Sequence, residues 1–198
     1  MISGLTILFG FPAPIILALM INEVKNSAFK RTVQTITYMP YFISMVVMCG
    51  LLKTFCMQDG LISQIVMAFG GSGQNFLANP DYFRTIYVLS DIWSGIGWNS
   101  IIYLAALSSI DQEQYEAARV DGANRFKQMI HITLPGLVPT IMVLFILRMG
   151  NILNVGYEKI LLLYNSATYI TADVISTYTY RLSFGGSGNP MYSKSTAI

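Results

Sequence analysis

The chain has 198 residues, 54% of them hydrophobic and only 11% charged, with a net charge of +2 and a mean hydropathy of +0.53. Its apolar residues come in long runs rather than the short alternating runs of a soluble core, which points to an integral membrane protein. The 12 Lys and Arg nearly balance the 10 Asp and Glu and form no basic block, so nothing in the charge implies a nucleic-acid partner.

The opening, MISGLTILFGF, has no basic segment of the kind that begins a cleavable signal peptide, and an apolar run starting at Met1 reads as though something precedes it. Four runs reach the roughly 20 residues needed to cross a bilayer, and they predict an all-α, polytopic helical fold organised as a single domain over 1–198. The first is Leu5 to Ile21, which Pro12 and Pro14 should kink. The second is Tyr38 to Met57, the third Thr85 to Leu107 and the fourth Leu134 to Val155. Cys49 and Cys56 fall within the second run, about 10 Å apart on one helix, too far for a disulfide. With His131 as the single histidine, no metal-ligand set is available.

Each of the last three runs carries an internal charge: Lys53, Asp91 and Arg148. Lys53 lies near the outer end of its span and can snorkel to the interface. Asp91 lies about six residues, or roughly 9 Å, below the outer end of a descending helix. Arg148 lies about thirteen residues, or roughly 20 Å, above the inner end of an ascending one. In a hydrocarbon core near 30 Å thick those depths agree, so a membrane-buried Asp91–Arg148 ion pair is expected.

Orientation follows from the short loops. Lys25, Lys30 and Arg31 follow the first run and Arg119, Arg125 and Lys127 follow the third, whereas the second is followed by Arg84 alone. The first and third loops are therefore expected on the cytoplasmic side. The second loop, and the β-branched, Tyr-rich segment after Val155 with its Gly turn at 185–188, should then lie outside.

The third loop holds EAARVDGANRFKQMIHITLP, residues 116–135, which concentrates charge in an otherwise greasy chain. Asp111 with Gln114 three residues on resembles a capping box and starts a helix near Gln112. Gly122 suits the left-handed residue that ends it. A second short helix over Asn124 to His131 should lead to Pro135 in the first turn of the fourth span. Small Ala117, Ala118 and Ala123 around a Gly elbow allow close approach of another surface, and Glu116, Arg119 and Asp121 offer directional polar contacts. The pattern reads as a docking element rather than a solvated face. As an enzyme site it lacks a group to orient His131 against Glu116 and Asp121. No phosphate-cradling GxxxxGK(S/T) motif occurs in the chain either.

EAARVDGANRFKQMIHITLPGLVP resembles the EAA signature of permease subunits of binding-protein-dependent ABC importers, with Met129 in place of the more usual Phe. FKRTVQTITYMPYFIS, VLSDIW, IIYLAALSSID and GYEKILLLYNSATYITADVISTY extend the resemblance to the oligosaccharide-uptake branch, over essentially the whole chain. The resemblance implies a type I importer-like permease fold with four full spans and a cytoplasmic coupling-helix loop. It implies a multi-pass protein of the bacterial cytoplasmic membrane, without a cofactor, surrounded by lipid bilayer. Its partners would be a separate ATPase subunit, a second permease subunit and an extracytoplasmic substrate-binding protein. Glu116, Ala117, Ala118, Asp121, Gly122 and Ala123 would be the coupling residues. Similar permeases carry a further span before Leu5 and another after Ile198, so the resemblance also implies a chain shortened at both ends. The competing reading is a non-transporting membrane remnant or scaffold that retains the ATPase-docking loop.

For a carbohydrate pathway the candidates are Trp98, Asn99 and Tyr103 on the third span with Asn151 and Asn154 on the fourth, because a polyol uses aromatic faces and amides. Trp93 and Tyr157 fit an outer aromatic belt instead.

Overall fold

The computed structural model describes residues 1–152, 156–165 and 167–184, and the described residues form helices and turns without strands. Helices α1 (Ile2–Gly10) and α2 (Pro12–Glu23) are separated only at Phe11, whose N–H still reaches the Ile7 carbonyl at 3.2 Å. Pro12 and Pro14 have no N–H to give the preceding turn, which is why the helix is interrupted there. Together they make one apolar span, Ile2–Glu23.

Asn26 then caps α3 (Ser27–Tyr38), its side chain accepting from Ala28 N at 3.0 Å and Phe29 N at 3.2 Å. A 3-10 turn, Met39–Phe42, follows, and Ser44 caps α4 (Met45–Cys56). After a break at Met57–Gly60 comes α5 (Leu61–Ala68). The second apolar stretch is therefore Met45–Ala68, not Tyr38 to Met57. Pro40 forces a new turn start, and the Ser44 hydroxyl accepts the Val47 N–H that a continuous helix would have used.

Helix α6 (Pro80–Ser108) has 29 residues, ample length to cross a bilayer. Asp91, Asn99 and several Ser dilute it, however, and among the described residues three helices, not four, are both long and apolar enough for a span: Ile2–Glu23, Met45–Ala68 and Arg125–Gly150. After α6 come α7 (Gln112–Val120), α8 (Arg125–Gln128), a π turn at Met129–Thr133 and α9 (Leu134–Gly150). The expected separate helix ending at His131 is instead the first two turns of the spanning helix Arg125–Gly150. Short helices α10 (Tyr157–Leu163), α11 (Tyr169–Ala172) and α12 (Ile175–Phe184) complete the described chain. The Gly turn expected at 185–188 lies outside the described residues.

The chain divides into two compact units. One comprises Leu5–Phe42 and Asp91–Ile152. Its core joins Ala18 of α2, Tyr103 and Leu107 of α6, and Leu137 of α9, with Ile15, Leu19, Ile110, Ile141 and Leu144 packed around them. Phe11 meets Phe145 edge-on at 5.2 Å. Where α3 ends, its backbone lies directly on α6: a Cβ at Gly97 would overlap the Thr37 carbonyl. Tyr41 stacks on Trp98 beside that contact, ring centroids 4.6 Å apart and planes 5° from parallel.

The other unit comprises Met1–Gly4, Ile43–Ser90 and the described residues from 156 on. Cys49 and Cys56 are buried free thiols here, with Phe83, Ile160 and Leu163 also buried. Lys159 is only 2% exposed; its ammonium donates to the Tyr87 carbonyl at 3.2 Å and sits 4.5 Å above that ring. A buried ammonium needs such partners. Arg181 pairs with Asp173 at 2.5 Å and covers the face of Tyr169 at 4.5 Å, joining α11 to α12. Burial pushes the nearby Tyr164 phenol above its ordinary pKa, and Tyr169 acts in the same direction.

Much apolar surface on the spanning helices is uncovered, including Leu8, Ile16, Met20, Val46, Met142, Val143 and Ile146. Such faces suit lipid or another membrane chain.

The approach at Gly97 predicts that Gly97→Ala costs about 1–3 kcal/mol, because the backbone it would strike cannot rotate away. Gly50→Ala, in α4 where a Cβ meets nothing within 4 Å, should be neutral or stabilising. Thermal unfolding of the two purified variants in detergent compares them directly.

Candidate functional site

The elbow runs from Asp111 to Thr133. Asp111 caps α7 as expected, its carboxylate accepting from Glu113 N at 3.0 Å. At the other end Gly122 has φ +75°. Ala123 N–H bonds back to the Ala118 carbonyl at 2.8 Å and Gly122 N–H to that of Arg119 at 3.0 Å, the paired bonds of a Schellman motif. Asn124 then caps α8 through Lys127 N at 2.9 Å. Two caps and a glycine thus fix a sharp corner using local chemistry alone.

Longer contacts brace this corner. Tyr115 Oη of α7 lies 2.9 Å from Thr133 Oγ1 of the π turn, and Thr133 is 2% exposed. Gln128 Nε2 donates to the Ala123 carbonyl at 2.9 Å. Arg125 pairs with Glu23, the last residue of α2, at 3.4 Å. The π turn has a cause in the sequence: Pro135 gives no N–H to the turn before it, and its ring crowds the His131 carbonyl four residues back. The wider spiral accommodates this, with Leu134 N–H bonding five residues back to Met129. His131 bonds its Nδ1 to the Lys127 carbonyl at 3.0 Å, the behaviour of a surface helix histidine.

The predicted coupling residues cluster on this corner. Glu116, Ala117, Asp121 and Gly122 are exposed and Ala118 and Ala123 half-buried. Beside them Val120 is 88% and Phe126 64% exposed, so the elbow presents apolar side chains as well as charge. Phe126 is the aromatic of the motif. Val120 is detectable only from periodicity, since it falls off the stripe made by Tyr115 and Ala118.

The pathway candidates separate. Trp98 and Asn99 are exposed on α6, and Tyr41 and Phe42 extend the Trp98 surface, Phe42 meeting it edge-on at 5.7 Å. The sequence signal for that pair was the aromatic–proline run YMPYF. Tyr103 is placed differently from the expectation: it is 3% exposed in the core beside Ala18 and Leu137, where neighbouring helices close over its ring. Asn151 ends α9 and donates its amide back to the Leu147 carbonyl at 3.2 Å. Asn154 lies outside the described residues. Asp91 Oδ2 and Arg148 Nη2 are 3.9 Å apart, with side chains 37% and 46% exposed. Among the described residues the pair is therefore only partly covered.

Residues 10–183 match the family described as binding-protein-dependent transport system inner membrane component. The chain belongs to this family. Among its relatives, protein LplB of Bacillus subtilis (strain 168) is 45% identical over all of this chain and 62% of its own length. The polygalacturonan/rhamnogalacturonan transport system permease protein YteP of the same strain is 43% identical over 98% of this chain and 60% of its own length. A crystal structure of a bacterial alginate ABC transporter, in complex with an alginate pentasaccharide-bound periplasmic protein, superposes on 99% of this chain with a TM-score of 0.93 at 50% identity. The chain covers 67% of that protein. It thus spans about three fifths of the curated relatives' length. The permease fold expected from the EAA segment is the fold observed.

Gly122→Asn should leave α7 intact, because Asn tolerates the left-handed region. Gly122→Val should lose about 1–2 kcal/mol of local stability even though a Cβ there meets nothing within 4 Å. Hydrogen exchange at the Ala123 amide reads the difference.

Proposed function

We infer that this chain is the permease subunit of an ATP-driven importer of the bacterial cytoplasmic membrane, taking up an oligosaccharide or other carbohydrate. A separate ATPase subunit hydrolyses the ATP and docks on the elbow from Glu116 to Ala123; a second permease subunit completes the membrane pathway. An extracytoplasmic binding protein delivers the substrate. The observation that carries this reading is the braced elbow: a rigid corner exposing Glu116, Asp121, Val120 and Phe126 while held to the ends of two spans. Apolar and charged groups together on a pre-formed corner suit a partner's groove.

The mechanism follows from the bracing. A partner that moves α7 pulls on Thr133 through Tyr115, and on the end of α2 through Arg125 and Glu23. Displacement below thus reaches α9 and α2. Relatives named for polygalacturonan and alginate transport support a carbohydrate substrate. Trp98, Asn99 and the neighbouring Tyr41 offer the aromatic and amide surface it would meet, and Asn151 at the end of α9 is a further amide candidate.

Glu116→Lys should weaken copurification of the ATPase subunit on the order of 100-fold and abolish substrate-stimulated ATP hydrolysis, while membrane insertion survives. Undiminished copurification would remove the docking role.

The Asp91–Arg148 pair becomes desolvated in this reading, as lipid and the second permease cover the side this chain leaves open. Asp91→Ala and Arg148→Ala should each lower the yield of folded, inserted protein. The double variant should recover part of the loss, with a coupling of at least about 0.5 kcal/mol; strictly additive losses would mean the two charges act independently.

A further inference from the structure

An open cleft of about 840 Å³ lies behind the elbow, between the end of α2 and helices α7 and α8. Its charged lining is Lys25, Arg119 and Arg125 against Glu23, three positive and one negative, a net +2. Glu23 is taken by Arg125 at 3.4 Å. Neither Lys25 nor Arg119 has a side-chain partner among the described residues. Both cations therefore face an open polar cavity without a counter-charge.

The place of the cleft along the spans points to its occupant. Leu107, in its wall, is in the last turn of α6, and Val24 immediately follows the end of α2. Glu23, also in the lining, is the last residue of the candidate span Ile2–Glu23, and Arg125 is the first of Arg125–Gly150, so the cleft lies at the ends of two candidate spans, where lipid headgroups would be met. Basic pockets between spans on the cytoplasmic side are suited to anionic lipid headgroups, and the size is ample for one.

We propose that the cleft holds the headgroup of an anionic phospholipid of the cytoplasmic leaflet, with its phosphate between Lys25 and Arg119. The proposal rests on the cytoplasmic placement of the elbow. A headgroup seated there ties the end of α2 to α7 by a second link beside the Arg125–Glu23 pair, so lipid composition would tune how firmly the elbow follows the spans.

The test uses the full chain copurified with its partner subunits and exchanged into phosphatidylcholine nanodiscs doped with phosphatidylglycerol. Native mass spectrometry then reads the phosphatidylglycerol retained after delipidation. Each Lys or Arg near an anionic surface contributes a factor of about five in association. Lys25→Gln with Arg119→Gln should therefore retain roughly twenty-five-fold less, and Lys25→Arg with Arg119→Lys should retain the wild-type amount. Equal retention by the Gln variant overturns the proposal. So does displacement of the lipid by inorganic phosphate, which assigns the cleft to a soluble anion. A loss of copurified ATPase in the Gln variant with lipid retention unchanged also overturns it, assigning the cleft to the docking surface. Failure of Glu116→Lys to release the ATPase bears on the docking reading alone, since Glu116 does not line the cleft.

Discussion

The contact between Tyr115 and Thr133 is the constraint on which the elbow depends. Caps and a glycine can form a corner, but nothing local fixes where that corner points relative to the span that follows. Here a phenol reaches from α7 to a hydroxyl in the π turn, and that hydroxyl is buried. Thr133 Oγ1 also lies 3.4 Å from the Gln128 carbonyl, and Gln128 in turn holds the carbonyl of Ala123. The chain of bonds closes on itself around the corner. A loop tied in this way behaves as part of the spanning helix, and its exposed side chains keep a defined attitude without a partner, which lowers the ordering cost of docking.

The same unit depends on close backbone contact where α3 meets α6. Gly97 removes the side chain that would hold the two apart, and Tyr41 and Phe42 then fall onto Trp98. Small-residue approach followed by aromatic stacking is an effective way to pack helices in lipid, where no hydrophobic force separates one apolar surface from another. The uncovered aromatic wall sits beside that contact because α3 stops there, at a 3-10 turn ahead of Ser44.

Features written in local chemistry were legible in the sequence. Asp111 as a helix start and Gly122 as a left-handed stop are in place, because each depends on one or two residues and their own backbone; Pro135 opens α9 but lies ten residues into the continuous span Arg125–Gly150. The order of residues in EAARVDGANRF carried the family. What was not legible depends on distant partners. Hydropathy ran the second span through Pro40 and Ser44, because an average over a window ignores a capping hydroxyl. Tyr103 looked like a pathway residue because its ring and hydroxyl suit a sugar, but α2 and α9 close over it, and one sequence cannot reveal which face of α6 they take. The 3.9 Å separation of Asp91 and Arg148 agrees with matching depths along two helices; the degree of cover depends on neighbours other than this chain.

The π turn at Met129–Thr133 sets a compass bearing. An α-helix advances about 100° per residue, so a turn holding one more residue than its α counterpart rotates everything before it by about that angle around the axis of α9. The azimuth at which Val120 and Phe126 leave the bundle therefore depends on how this one turn inside the span closes. Two chains with the same EAA segment and the same number of residues, one closing this turn as π and the other as α, would aim identical elbows in different directions. In an assembly of several membrane chains, this gives each subunit a way to choose which side of its neighbour it addresses without altering the address itself.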